Sequence, residues 1–193
     1  MRIILLPGVT RFNKILVYHT VSSTQDIAKS LVLAQRAQVS EVVISAYRQT
    51  QGHGRHYEYW VSEPGGLYFS VIYKSPVPII HVDNFTKNIG LIIKRALESV
   101  ISNCELEIRG INDLYLNEKK LAGILVETVS FASQLEPPPY VYIIGIGINV
   151  NQTQFPVLSK PATSLFNELK IKFSRYKILS AICRGLSEKF RNK

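Results

Sequence analysis

Four short segments in close succession constrain the fold most: Glu105–Arg109, Leu114–Leu116, Leu121–Glu127 and Tyr140–Ile148 each read as a β-strand. Upstream, Lys14–His19 alternates like a strand, Glu41–Tyr47 is β-branched, and Leu67–Tyr73 is a further apolar run. Helical patterns are set apart from these. Ser23 or Thr24 is placed to cap a helix running to about Arg36, and Phe85, Ile89, Ile92, Ile93, Ala96, Leu97 and Val100 form the stripe of a long one. Two more helices are expected near Ala162–Leu169 and Ser174–Arg191, and the three prolines of Gln134–Pro139 fit a long hairpin loop. Strand runs with segregated helices predict an α+β fold, a mixed, largely antiparallel sheet with helices mainly on one face. With 193 residues, 46% of them hydrophobic, the chain buries its core as one domain, 1–193.

Several classes are excluded. MRIILLPG stops at Pro7-Gly8, far short of a membrane span or a signal peptide's apolar region, so a cytoplasmic protein is expected. Cys104 and Cys183 sit at apolar helix-like positions without CxxC spacing and read as buried free thiols. The net charge of +9 is concentrated: Lys170–Lys193 holds eight Lys or Arg against Glu188 alone. Leu179, Ile182, Cys183, Leu186 and Phe190 recur there at helical spacing, so these charges mark either a solvated helix face or a surface steering an acidic partner. No P-loop, GxSxG or HExxH motif is present, and GIGIN at Gly145–Asn149 lacks a third glycine for a dinucleotide fingerprint. His53, His56 and Glu58 make a poor metal site because Arg55 would repel the cation, so no metal is expected from a side-chain cluster.

Two segments carry chemistry. In QTQGHGRHYEYWVSEPGGLYFS (Gln49–Ser70), Gly52 and Gly54 free the backbone to present N–H groups to an anion, Arg55 offers a fork for phosphate, and Trp60 a flat face for a purine. The bland alternative is a glycine-rich connector. In RGINDLYLNEKKLAGILVET (Arg109–Thr128), Asn112-Asp113 ends a strand, a tight hairpin turns at Asn117-Glu118, and Lys119 and Lys120 open the next strand facing opposite ways. One lysine can therefore point inward beside Asp113 as an oxyanion or phosphate clamp, the bland alternative being hairpin lysines in solvent, stronger for Lys119 than for Lys120, and Gly123 lets another group come close.

Four segments together resemble the catalytic domain of biotin protein ligases. VSSTQDIAKSL (Val21–Leu31) is similar to the family's aspartate-Ser-Thr-Asn helix start, and the Gln49–Val71 segment to its GRGR-type biotin loop with a following Trp and PGGLY strand. RGINDLYLNEKKLAGILVE (Arg109–Glu127) resembles KWPNDLYL…KLAGILVE, and VYIIGIGINVN (Val141–Asn151) the family's glycine-alternating strand. They occur in the family's order across nearly the whole chain. The resemblance implies the biotin/lipoate ligase, class II synthetase-like catalytic fold. It implies activation of biotin by ATP with Mg²⁺ to biotinyl-5′-AMP, then transfer to a lysine of a biotin carboxyl carrier protein.

Residue roles follow by resemblance. Ser23, Thr24 and Gln49 would hold the ureido ring, with Gln25 as a further biotin contact. Gly52, His53, Gly54 and Arg55 would close over the carboxylate and phosphate, Arg55 stabilising the pentavalent phosphorus. Lys120 would bind the carboxylate and later the acyl oxygen and phosphate. Gly123, Leu125, Gly145 and Gly147 would line the slot, Trp60 would stack on adenine, and Asn112 and Asn149 would contact the nucleotide or its Mg²⁺. Asp113 would orient or deprotonate the acceptor lysine.

The chain departs from the family pattern at His53, at His56-Tyr57, at Arg109-Gly110-Ile111 and at Gln25, which stands for Asn. A helix-turn-helix before Lys14 and a small β-barrel after the last helix are not expected, so neither is DNA binding, nor any membrane partner; a homodimer stays open. The basic C-terminal helix is a candidate for attracting an acidic carrier domain. A lipoate or octanoate ligase or transferase of the same fold is one alternative, separated by ATP dependence and the GxGR-Trp pattern. A non-enzymatic nucleic-acid-binding module is another, separated by a steep salt slope without biotin affinity.

Overall fold

Short connections between strand runs make antiparallel neighbours, and the computed structural model, which describes residues 1–35, 41–102, 104–130, 140–156 and 161–191, has that character. The strands are β1 (Arg2–Leu5), β2 (Lys14–Val21), β3 (Val43–Gln49), β4 (Leu67–Ser75), β5 (Glu107–Arg109), β6 (Asp113–Leu116), β7 (Lys119–Val129) and β8 (Tyr140–Ile148). They form one open sheet in the order β1-β2-β3-β4-β8-β7-β6-β5. Among the eight strands only β2 and β3 pair in parallel, and the helix between them, α1 (Thr24–Gln35), is the crossover such a pairing requires. The other helices are α2 (Val82–Val100), α3 (Leu165–Leu169) and α4 (Arg175–Lys189).

Side-chain alternation splits the sheet into two unlike faces. On one, Val71, Tyr73, Ile124, Ile144, Ile146 and Ile148 join the large core with Ile89, Ile93 and Leu97 of α2, Leu165 of α3 and Ile178, Ile182 and Leu186 of α4. Each such fully buried side chain contributes about 1.5–3 kcal/mol. On the other face, among the described residues, Ile44, Ile72, Val141 and Ile143 pack against Ala28 and Val32 of α1. One helix cannot span eight strands, so the rows beside it on β7 and β8, at Gly123, Leu125, Gly145 and Gly147, are left for something else to cover.

Most of the expected elements are present, with shifted ends. Ser23 is the α1 cap: its Oγ accepts from Gln25 N at 3.2 Å, and Ile27 N donates to its carbonyl. The hairpin at Asn117-Glu118 is a turn with both φ values positive, 48° and 64°. The helix expected from Ala162 is shorter, because Pro161 O and Thr163 N bond the backbone of Lys120 and hold that stretch extended until Ser164 caps α3. Strand β1 was hidden in MRIILLPG; an edge strand paired only to β2 leaves Ile3 and Leu5 exposed and shows no alternating pattern. The loop expected at Gln134–Pro139 lies outside the described residues. Cys104 and Cys183 are buried and unpaired, burial pushing their thiols up to about 11 and about 12. No helix among the described residues is long and apolar enough to cross a membrane.

Candidate functional site

The uncovered rows form the floor of a cavity of about 280 Å³. Gly123 of β7 pairs with Gly147 of β8, and Leu125 pairs with Gly145, whose other neighbour is Ser70 of β4. The roof is the Gln49–Ser70 loop. It closes on itself: Trp60 N donates to Gly52 O at 2.8 Å, and Gly54 N to Glu58 O at 2.7 Å, around a single 3-10 turn at Arg55–Tyr57. A Cβ on Gly52 would lie 2.5 Å from Ser62 Oγ and 2.7 Å from Trp60 O, so this close approach requires glycine. The Gly54 N–H, expected to face an anion, is used inside the loop. Arg55 is exposed at the rim, and His56 holds a left-handed backbone, φ 53°.

Trp60 lies across the floor. A Cβ on Gly147 would be 2.5 Å from its Nε1, and one on Gly123 3.0 Å from its Cζ3. The glycines therefore make room for an indole as well as for a ligand. Trp60 Nε1 is buried with no partner among the described residues, leaving an unmatched donor inside the cavity for a ligand acceptor. Lys120 Nζ stands 5.4 Å from the ring centroid and 2.8 Å from Asp113 Oδ1. Its backbone is pinned on both sides by Pro161 O and Thr163 N, at 2.9 and 3.0 Å, so the ammonium is held in place before any ligand arrives. Lys119 faces the other way, to Glu168 at 3.0 Å.

The end of the cavity against α1 is polar. Gln49 Oε1 accepts from Thr24 N at 2.7 Å, Gln49 Nε2 donates to Ser62 Oγ at 2.8 Å, and Thr24 Oγ1 and Ser70 Oγ are 2.9 Å apart. Ser70 Oγ also donates to Gln25 Oε1, and Gln25 Nε2 reaches Glu127 and the Ile143 carbonyl. Such a cavity has a cation at one end, an apolar glycine floor with an aromatic cover, and hydroxyl and amide groups at the other. It suits a slender acid with a polar head.

Of the residues expected at the site, Ser23, Thr24, Gln25, Gln49, His53, Gly54, Arg55, Trp60, Asn112, Asp113, Lys120, Gly123, Leu125, Gly145 and Gly147 line this one cavity. Gly52 supports the loop from behind. Asn149 does not reach the cavity: it is 4% exposed, and its Oδ1 accepts from Gln152 Nε2 at 3.1 Å. Arg109, in the place of the family's lysine, is turned outward to Glu107 and Glu118. Sequence reasoning missed Ser70, whose hydroxyl sits in an otherwise apolar strand, and Glu127 and Lys29, which no local pattern links to Gln25. Among the described residues no group of three His, Cys, Asp or Glu gathers as a metal site.

Comparison with known proteins agrees with this geometry. The profile of the biotin/lipoate A/B protein ligase family matches residues 17–149. The bifunctional ligase/repressor BirA of Bacillus subtilis is 31% identical over 182 residues, 92% of this chain and 54% of its own length. BirA of Escherichia coli is 30% identical over 111 residues, 57% of this chain and 33% of its own. The chain thus spans about half the length of the Bacillus relative. The biotin protein ligase of Aquifex aeolicus, solved with biotin and ATP, superposes with a TM-score of 0.76 at 31% identity, covering 92% of this chain and 70% of that one. The Leishmania major biotin protein ligase solved with biotinyl-5-AMP shares the fold, with a TM-score of 0.73 at 23% identity over 91% of this chain and 74% of that one. A matched segment that carries the glycine floor, the polar end and Lys120 leaves one conclusion: the chain belongs to the biotin/lipoate A/B protein ligase family.

Proposed function

We propose that the chain is an ATP-dependent biotin protein ligase, taking biotin and Mg-ATP to biotinyl-5′-AMP and passing the biotinyl group to a carrier-protein lysine. The observation that carries this reading is the slot itself: Lys120 at one end, Thr24, Gln49 and Ser70 at the other, glycines between, and Trp60 above. Its volume of about 280 Å³ lies at the lower end for small-ligand sites, room for one compact acid. In the first step a biotin carboxylate oxygen attacks the α-phosphorus of ATP and pyrophosphate leaves. Lys120 neutralises the carboxylate, and Arg55 at the rim is placed to swing onto the phosphate as charge builds. In the second step the acceptor amine attacks the acyl carbon, AMP leaves, and Asp113 beside Lys120 is positioned to take the amine's proton. Trp60 in this arrangement is the platform for adenine. The loop keeps water from the mixed anhydride.

The test is incubation with radiolabelled biotin, ATP and Mg²⁺, assayed for biotinyl-AMP and pyrophosphate. Wild-type protein is expected to form adenylate. Lys120→Ala and Arg55→Ala are each expected to lower the rate by about 10²–10³-fold. Adenylation of octanoate or lipoate in preference to biotin would move the assignment to the lipoate side of the family. Turnover of none of these acids would remove it.

A further inference from the structure

At the end of the slot away from Lys120, beside Thr24, Gln49 and Ser70, Gln25 lies over the floor. Gln25 is 3% exposed, and both N–H donors of its amide are engaged by the protein. Nε2 donates to Glu127 Oε2 at 2.8 Å and to Ile143 O at 3.2 Å, while Oε1 accepts from Ser70 Oγ at 2.9 Å. Glu127 and the Ile143 carbonyl only accept, which fixes the amide's orientation and uses both of its N–H donors. The far oxygen of Glu127 is held in turn by Lys29 Nζ at 2.8 Å. The Gln25 side chain lies flat on the floor: a Cβ on Gly145 would be 2.6 Å from Oε1. Leu125, which pairs with Gly145, is five residues beyond Lys120 on β7, past a bulge at Leu121. An acid anchored by its carboxylate at Lys120 therefore meets Gln25 with its opposite end.

Resting on the ligase reading above, we propose that Gln25 sets the length of acid that the slot accepts, as a wall and not as a hydrogen-bond donor to the ligand. The pair Lys29–Glu127 positions the wall from outside the cavity. Both donors of the amide are committed, so it offers the ligand surface and no N–H, only the second lone pair of Oε1. Asparagine, one methylene shorter, would not span from α1 to Glu127, and the slot would lengthen by about one C–C bond.

The experiment compares kcat/KM for pyrophosphate release with biotin and with homobiotin, whose side chain is one methylene longer. Wild-type protein is expected to prefer biotin by about 10–200-fold, the range for one methylene in a fitted pocket. Gln25→Asn is expected to reduce that preference about tenfold or more. Glu127→Gln, which loses the Lys29 ion pair, is expected to reduce it less. Gly145→Ala, which presses the wall inward, is expected to shift preference toward norbiotin, one methylene shorter. Thermal unfolding of each variant checks that it folds, and the Gly145→Ala shift tests the wall even where Gln25→Asn does not fold. An unmoved ratio in a folded Gln25→Asn, with KM raised equally for both acids, would overturn the proposal and make the amide a ligand contact. An inactive wild type would instead bring down the ligase reading, and the wall with it.

Discussion

Gly147→Ala separates the cavity's chemistry from its stability. The added Cβ would lie 2.5 Å from Trp60 Nε1 and 2.6 Å from Cε2, against the roughly 3.5–4.0 Å of an unstrained contact. The indole must move by about 1 Å. Gly147 is in the middle of the sheet, hydrogen-bonded between β4 and β7, and cannot yield; Trp60 is on a loop and half-buried, and can. Overfilling a packed site costs about 1–3 kcal/mol, and a movable partner puts this case near 1 kcal/mol. For a chain of this size that is about 2–4 °C in Tm. Misplacing a positioning surface by 1 Å, however, costs on the order of 10²-fold in rate, about 2.7 kcal/mol of transition-state free energy. Adenylation is thus expected to fall far more than stability does. Trp60 is the chain's single tryptophan, so its fluorescence follows the displacement directly. Thermal unfolding, emission spectrum and adenylation rate, measured together, make the test. In the cycle with Trp60→Ala, the added methyl should cost almost nothing once the indole is gone. Unchanged emission and rate would show that the indole does not rest on Gly147. A Tm loss above about 10 °C that persists in the Trp60→Ala background would place the strain in the sheet instead.

Two further predictions concern charges away from the cavity. At Glu168 burial works to raise the carboxyl pKa, but hydrogen bonds from Thr163, Asn117 and Lys119 outweigh it and bring the group down to about 2. A depressed folded-state pKa contributes stability above the ordinary value of 4.5, lost as pH falls through about 2. The Tm gap between wild type and Glu168→Gln should therefore close between about pH 5 and pH 2; a constant gap in pH-dependent thermal unfolding would refute it. The basic helix α4 packs with α2 on the face of the sheet opposite the cavity, so its charges stand behind the site. At 0.15 M salt, where screening acts over about 8 Å, Lys189→Gln with Arg191→Gln is expected to leave the proposed transfer to a carrier lysine unchanged. A slower transfer under those conditions would place the acceptor on the α4 side.

The sequence made legible whatever has a local period or a local exception to one. Tyr140–Ile148 was delimited by its apolar run, and GIGI was placed in the slot by its resemblance to the family's glycine-alternating strand. The lysine pair was legible because strand geometry forces Lys119 and Lys120 apart, and they are bound to Glu168 and Asp113 on opposite sides. What stayed hidden depends on register between distant strands. Nothing near Gln25 signals that Glu127, 102 positions later, will take its amide. Nothing in LYFSVIY shows that Ser70 alone turns a hydroxyl toward the cavity. The direction of Asn149 was equally invisible, because GIGIN ends where the chain leaves the sheet and the amide turns to Gln152. The topology supplies the missing step. A parallel strand pairing puts α1 on one face, its Gln25 reaches over Gly145, and Gly123 and Gly147 fall just beyond its cover. The glycines showed that space was needed; the crossover determined which face would have it, and Gln25 where it would end.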